Sequence, residues 1–541
     1  MPRMLEEGIG GTDPVLMLQG RLRTVAVAGA AVVVVLGIAL RFISHSALWL
    51  DEALTVNIAR LPLHAIPEAL RHDGAPPLYY YLLHVWMQVF GTSDLASRSL
   101  AGVIGVACLP VAWLAGRRLG GSVVGATALV LVASAPFAVF YSTEARMYTL
   151  VILLTGCGFL AIHRALDAPR PGNLIATAIV TALLLYTQYW ALYLVAATGL
   201  WLAILVIQLR RRNPDSQAWQ HPARALAAVA VGCLAFAPWV PTFLYQSKHT
   251  GTPWGAPANF AALTNAVTGF TSNQGVTSTV ATNQGRLLAL IYFALAALAL
   301  FGVGRTTRIV DIDLHTRPHG RGLTFVVVVT LMLAITGGLL TSSTFSTRYA
   351  AVVFLPFLLL VALGTTTLLH AKGRVIVVAL AAAAGLVLSY QNIDTQRTQA
   401  TAVAAVINTQ ARPGDVIAFC PDQLGPSVYR VVAHPTEFPM VTFPRGTGAQ
   451  IIDWVDYKQV VQSTDPATFA AALVRRAGPV SHIWLAWQPG YETYGIRCET
   501  LAAALQTSPG WAAHNWVLSA PTRFYEPMNL TEFLRTPAPA G

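Results

Sequence analysis

From residue 24 to residue 391 the chain alternates long apolar runs with short polar loops. Windows of roughly 17 to 25 apolar residues are long enough to cross a bilayer. Eleven such windows are present, at 24–43, 98–116, 122–140, 147–165, 173–188, 190–209, 224–242, 286–304, 322–341, 349–370 and 374–391. Another apolar stretch, Pro77–Phe90 (PLYYYLLHVWMQVF), has 14 residues and is too short to span. It is expected as an interfacial helix inside a long first outer loop, 44–97. After residue 391 the pattern becomes that of a soluble domain. Val416–Phe419, Met440–Phe443, His482–Trp487 and Trp516–Ser519 read as strands, and Pro466–Ala477 and Thr500–Leu505 as helices. The expected fold is an all-α polytopic membrane protein with a small C-terminal α/β domain, 392–541.

Charge adds the topology. The first apolar run has no small-residue cleavage site and follows a polar tail, 1–23, with Arg21 and Arg23, so it reads as a retained helix with a cytoplasmic N-terminus. Every second loop is then rich in arginine: Arg117 and Arg118; Arg164 and Arg170; Arg210, Arg211, Arg212 and Arg224; Arg305, Arg308, Arg317 and Arg321; Lys372 and Arg374. The intervening loops are poorer in basic residues, as the positive-inside rule requires. With an odd number of spans, the loops 44–97 and 243–285 and the C-terminal domain fall outside the cytoplasm, at a cell membrane.

Composition agrees. Of the 541 residues, 55% are hydrophobic and 11% charged, against roughly a quarter charged in soluble proteins. The net charge of +11 is mostly this topology signal, so the expected partner is the lipid bilayer and nucleic acid is not one. Cys420 and Cys498 are the two cysteines of the exported domain, where a disulfide is permitted. Spacing alone leaves their pairing open.

The charges that break the rule collect at the outer face. Asp51 and Glu52 follow Leu48-Trp49-Leu50 at the membrane surface, where a carboxylate is costly without a role. Asp51 also suits the start of a helix running to Ile58, so capping is the plain alternative. His72-Asp73-Gly74-Ala75-Pro76-Pro77 combines a turn with titratable groups, and Tyr79 follows in what could equally be an aromatic belt. The second outer loop, Tyr141–Tyr148 (YSTEARMY), holds Glu144 and Arg146. Arg348 beside Tyr349 stands in a later one, and Lys248 opens the long loop 243–285. An outer arginine is suited to clamp a phosphate, though snorkelling to the interface would also explain it.

The Asp-Glu pair soon after the first span, the Pro-Pro-Leu-Tyr-Tyr element and the Glu-x-Arg element after the third span resemble the GT-C membrane glycosyltransferases. The similarity is to the branch of protein O-mannosyltransferases and lipid A aminoarabinose transferases, including actinobacterial polyprenyl-phosphomannose-dependent mannosyltransferases. It covers roughly residues 20–390 and implies a polyprenyl-phosphate-linked sugar donor, with chemistry on the non-cytoplasmic side. Mannose is the sugar it favours, with arabinofuranose, aminoarabinose and galactose open. The acceptor it implies is a glycolipid, a polysaccharide or a protein. Asp51 matches the catalytic carboxylate of that family. Glu52, His72, Asp73, Tyr79, Glu144, Arg146, Tyr148, Gln188, Lys248, Arg348 and Tyr349 are then candidates for substrate contact. Two positions depart from the pattern: Ala75 stands where many relatives carry His or Lys, and Tyr186-Thr187-Gln188-Tyr189 has Gln188 where a His is common. Asp51, Glu52 and Glu144 would supply oxygen ligands to a divalent ion, but the arginines make one unnecessary, and no cofactor or metal is predicted. A transporter or flippase of lipid-linked sugars should instead place charges near its span centres. A non-catalytic glycan-binding protein would keep the fold without turnover.

Overall fold

The computed structural model describes residues 14–212, 215–251, 261–271, 283–304, 310–313, 318–341, 346–478 and 481–536. Arg305, Arg308, Arg317 and residues 272–282 of the loop 243–285 lie outside these residues. The helices in chain order are α1 (Pro14–Leu40), α2 (Leu50–Ala59), α3 (Ile66–Asp73), α4 (Leu78–Phe90), α5 (Asp94–Ser134), α6 (Pro136–Ser142), α7 (Tyr148–Asp167), α8 (Pro171–Thr187) and α9 (Ala191–Arg212). They continue with α10 (Gln220–Leu234), α11 (Val240–His249), α12 (Ala261–Thr268), α13 (Asn283–Phe301), α14 (Pro318–Thr341), α15 (Ala351–Gly364) and α16 (Ala371–Asp394). A short antiparallel hairpin, β1 (Gly302–Gly304) and β2 (Val310–Ile312), separates α13 from α14.

Among the described residues, nine helical stretches are long and apolar enough to cross a membrane. One of them, α5, has 41 residues. Straight, it would run about 60 Å, twice the hydrocarbon thickness. It turns back at Gly120 and Gly121, the latter at φ 82, a conformation that needs the missing Cβ. Split there, and with the shorter apolar helix α8 added, the segments correspond one for one to the eleven predicted spans. One span differs in form. The expected 122–140 helix breaks at Ala135, because the residue before Pro136 is pushed out of the helical region to ψ 125. Arg41 meets the carbonyls this break leaves over, donating to Val132 O at 2.7 Å and Ala133 O at 2.9 Å.

The core of the bundle is α15, every residue of which is buried. It packs against α5, α7, α13 and α14. By contrast, α1 is peripheral and presents Val25, Val32 and Val35 outward, as a lipid-facing helix should. The loop 44–97 forms α2, α3 and α4, the last being the expected short helix. The loop 243–285 is entered by the end of α11 and contains α12.

The C-terminal domain is a five-stranded sheet, β3 (Val416–Cys420), β4 (Met440–Thr442), β5 (Ile483–Trp487), β6 (Trp511–Val517) and β7 (Asn529–Arg535), in the order β4-β3-β5-β7-β6. Strands β4, β3 and β5 run parallel, and β7 pairs antiparallel with β5 and β6. The domain also has α17 (Ala400–Gln410), α18 (Gly425–Val431), α19 (Tyr457–Ser463), α20 (Pro466–Arg476) and α21 (Arg497–Gln506). Period-two alternation divides the strands between two helical layers. Ile417, Phe419 and Trp484 pack on α17 and α18, while Val416, Ala418 and Leu485 pack toward α20 and α21. Two sequence expectations are corrected: the strand placed at Trp516–Ser519 begins at Trp511, and β7 was not anticipated. Cys420 and Cys498 form a disulfide, tying the end of β3 to α21.

This domain sits on the end of the bundle that carries the 44–97 loop. Asn57 Nδ2 donates to Gln450 O at 2.8 Å, and Arg430 pairs with Asp94 at 3.1 Å. The Arg118–Asp167 pair ties α5 to α7 at the opposite end of the bundle.

Candidate active site

The first turn of α2 carries two acidic residues in succession, placed favourably at its positive end. Successive helical residues diverge by about 100°, so the two carboxylates face different partners. Asp51 Oδ2 lies 2.7 Å from Arg348 Nη1 and 3.9 Å from Arg146 Nη2, with all three side chains between 13% and 18% exposed. Arg146 is aimed by Thr55, whose hydroxyl accepts from it at 2.7 Å and donates to Asp51 O at 2.6 Å. Arg348 immediately precedes the buried helix α15, which anchors it.

Glu52 faces the other way and is fully enclosed. Arg98 grips it with Nε and Nη2 at 2.7 and 2.6 Å, Arg397 Nη1 approaches to 3.4 Å, and the Ala145 N–H donates at 3.0 Å. Burial acts to raise the pKa of this carboxyl, but the Arg98 and Arg397 guanidiniums and the Ala145 amide more than offset it and hold the group below the usual range. The expectation of substrate contact by Glu52 is therefore corrected. Both its oxygens are committed inside the protein, and its place is to fix α2.

The other candidates divide. Glu144 and Arg146 do not pair with each other: Glu144 Oε1 accepts from Trp49 Nε1 at 3.1 Å. Burial, opposed by Arg397 and reinforced by Glu52 and Asp51, pushes Glu144 up to about 7. Asp73 accepts from Tyr80 at 2.8 Å, and burial raises it against the pull of Arg146. Tyr349 stacks on Trp190 with ring centroids 4.8 Å apart. Among the described residues, the buried hydroxyls of Tyr79 and Tyr148 and both polar atoms of the buried Gln188 amide have no hydrogen-bond partner. Buried polar groups are rarely left so in a native protein unless a ligand or water completes them.

Two candidates lie apart from this cluster. His72 bonds Asp453 of the C-terminal domain at 2.9 Å and so belongs to the interdomain seam. Lys248 is exposed on the last turn of α11, where its charge is free to stay hydrated. Three further residues escaped sequence reasoning. Arg98 and Arg397 lie at the same end of the bundle as Arg146, gathered on Glu52, but they stand at the start of one span and beyond the end of another. Trp49 reads in the sequence only as one of three apolar residues before Asp51.

Among the described residues no three His, Cys, Asp or Glu side chains are grouped to hold a metal ion. Because Glu52 is enclosed by guanidiniums, the oxygen set Asp51, Glu52 and Glu144 does not present itself to one ion.

Glu526, at the C-terminal domain's contact with α2, is 3% exposed. It sits beside Thr398, Ser427 and the Leu50 N–H, none at full hydrogen-bond geometry. Burial, partly countered by these neighbours, pushes its pKa from 4.5 up to about 8. The folded protein therefore holds a proton that the unfolded chain releases, and stability falls as pH rises from about 4.5 to about 8. In Glu526→Gln this share of the slope disappears. Thermal unfolding across that window checks it, and an unchanged slope would place the proton elsewhere.

Residues 74–241 match the family of dolichyl-phosphate-mannose-protein mannosyltransferases. No curated protein sequence matches the chain. The structure is similar to ArnT from Cupriavidus metallidurans in the apo state, at a TM-score of 0.56 and 14% identity over 94% of this chain and 97% of that one. The undecaprenyl-phosphate-bound form of ArnT aligns at a TM-score of 0.52 and 13% identity over the same shares. The Archaeoglobus fulgidus oligosaccharyltransferase tethered to an acceptor peptide aligns at 0.50 and 10% identity, over 90% of this chain and 72% of that one. This multi-pass membrane protein thus has the fold of the GT-C glycosyltransferases, and its residues 74–241 match the mannosyltransferase family within it.

Proposed function

We propose that the protein transfers a sugar, with mannose favoured, from a polyprenyl-phosphate donor to a hydroxyl of a cell-envelope acceptor, at the outer face of the plasma membrane. The observation that carries this reading is the Asp51 carboxylate held by Arg348 at 2.7 Å and Arg146 at 3.9 Å. One acid and two guanidiniums are the groups this reaction needs. The acceptor hydroxyl gives its proton to Asp51 as its oxygen bonds to the anomeric carbon, a step worth about 10²- to 10⁴-fold when the base is positioned. The bond from that carbon to the phosphate oxygen breaks, and the phosphate leaves as an anion. No second carboxylic acid is needed, unlike in many glycosidases. Arg146 and Arg348 stabilise the charge that develops on the phosphate. A donor phosphate competes with Asp51 for both arginines, so donor binding itself frees the carboxylate to act as base. Displacement in one step inverts the anomeric centre.

Three further observations support the reading. The unmet hydroxyls of Tyr79 and Tyr148 and the unmet Gln188 amide offer hydrogen bonds to a sugar or phosphate. Undecaprenyl phosphate is bound to ArnT, whose fold this chain shares. A cavity of about 430 Å³ between α7, α8, α9 and α14, lined by Phe159, Val180, Leu184, Leu194 and Val326 and running to Arg118 at the far end of the bundle, has the apolar surface an isoprenoid chain requires, although it shares no residue with the Asp51 cluster. Purified protein given a panel of polyprenyl-phosphate sugars tests the proposal, with mass spectrometry of the lipid fraction as readout. Polyprenyl phosphate should be released from one member, with the mannosyl donor expected. Release from none of them would overturn the reading.

A further inference from the structure

The C-terminal domain covers the site and also reaches into it. The Gln399 side chain bridges the two ends of the loop joining β6 to β7: Gln399 Nε2 donates to Leu518 O at 2.7 Å, and Gln399 Oε1 accepts from Ala520 N at 3.2 Å and Met528 N at 3.1 Å. Backbone bonds add to this, from Glu526 N to Arg397 O at 2.8 Å and from Gln399 N to Glu526 O at 3.0 Å. Arg397 in turn donates to Thr143 O at 2.8 Å, so the loop is fastened to the membrane domain beside Glu144. At its tip Tyr525 meets Trp49 edge to face, with centroids 4.9 Å apart. Trp49 is 7% exposed, whereas Tyr525 is 45% exposed although it stands over the interior of the site.

Beneath this pair lies a cavity of about 130 Å³, where Trp49, Tyr141 and Tyr525 face Glu144 and Arg348. Arg348 is the residue that holds Asp51, so the cavity is one side chain from the proposed base. Aromatic rings beside a carboxyl and a guanidinium suit a sugar: its C–H face lies on the rings, and its hydroxyls bond to the charged groups. A rigid loop that is tied on both sides and ends in an exposed tyrosine contributes contact area at little entropic cost.

Resting on the glycosyl-transfer reading above, we infer that Tyr525 and Trp49 form the acceptor wall of the site, and that the acceptor is a glycan whose ring enters between the C-terminal domain and α2. The domain is then part of the acceptor-binding machinery, and Tyr525 touches the acceptor.

The test uses the full chain in detergent, octyl α-mannoside as acceptor probe and the polyprenyl-phosphate sugar the wild type accepts as donor. A serine-containing peptide serves as the competing acceptor. Tyr525→Ala should raise KM for octyl α-mannoside about tenfold, while kcat and protection against unfolding by undecaprenyl phosphate stay unchanged. Tyr525→Phe, which keeps the ring, should recover most of the loss. An unchanged KM in Tyr525→Ala, or a parallel loss of undecaprenyl phosphate protection, would overturn the inference. A wild type that glycosylates the peptide but not the mannoside would overturn it while leaving glycosyl transfer standing. A wild type that uses neither would remove both.

Discussion

Asp51→Asn lowers the rate of sugar transfer by about 10²- to 10⁴-fold, the usual contribution of a positioned general base. The amide has nearly the shape of the carboxylate but cannot take the acceptor's proton. Folding should survive, because Asp51 and its two arginines lie where solvent can reach them, at 13% to 18% exposure, and the released guanidiniums can be rehydrated. Donor binding should also survive or tighten, since Asp51 no longer competes with the phosphate for Arg146 and Arg348. The prediction is therefore a fall in kcat with an unchanged thermal midpoint and undiminished protection by undecaprenyl phosphate. Wild-type turnover in Asp51→Asn would remove Asp51 from the chemistry.

Its neighbour behaves differently. Glu52→Gln leaves Arg98 and Arg397, 5% and 3% exposed, without the anion that compensates them. Breaking a buried pair from one side costs about 3 to 5 kcal/mol, a large part of a typical stability of about 5 to 15 kcal/mol. The outcome should be a strongly lowered thermal midpoint and poor recovery of folded protein. The loss should be smaller in Glu52→Asp, which keeps the charge. A Glu52→Gln protein that is fully stable yet inactive would instead put Glu52 at the substrate. Adjacent carboxylates with opposite phenotypes follow directly from their divergence on α2.

The spans were legible because membrane crossing imposes a length and a composition that few other structures share. Asp51 at the start of α2 was legible through helix-end chemistry, and Arg146 and Arg348 because the topology expected from charge puts them in loops otherwise poor in basic residues. The same expectation also pointed to Arg98 and Arg397. Arg98 was absorbed into the start of a span, and Arg397 into the beginning of the C-terminal domain. Which of Asp51 and Glu52 faces the cleft was not readable, because it depends on how α2 is rotated against α5 and the 141–147 turn. The pairing of Glu144 with Trp49 rather than Arg146 is likewise a tertiary choice.

The C-terminal domain was read less completely. Strand β7, Asn529–Arg535 (NLTEFLR), has no period-two apolar alternation, carries Glu532 and Arg535 and has one β-branched residue, so its own sequence signals a strand weakly. Its place between β5 and β6 supplies the order that propensity does not. Tyr525 was invisible for a related reason. It lies 476 residues from Trp49 along the chain and meets it because Gln399 and the Arg397 backbone tie that loop down.

The central claim is one-step transfer from a lipid phosphate with Asp51 as base. The most direct measurement is the anomeric configuration of the product by NMR, made on wild type and on Asp51→Asn with the same polyprenyl-phosphate sugar. Wild type should give a product of configuration opposite to the donor, and Asp51→Asn should give essentially none. Retained configuration, or product from Asp51→Asn at the wild-type rate, would contradict the account.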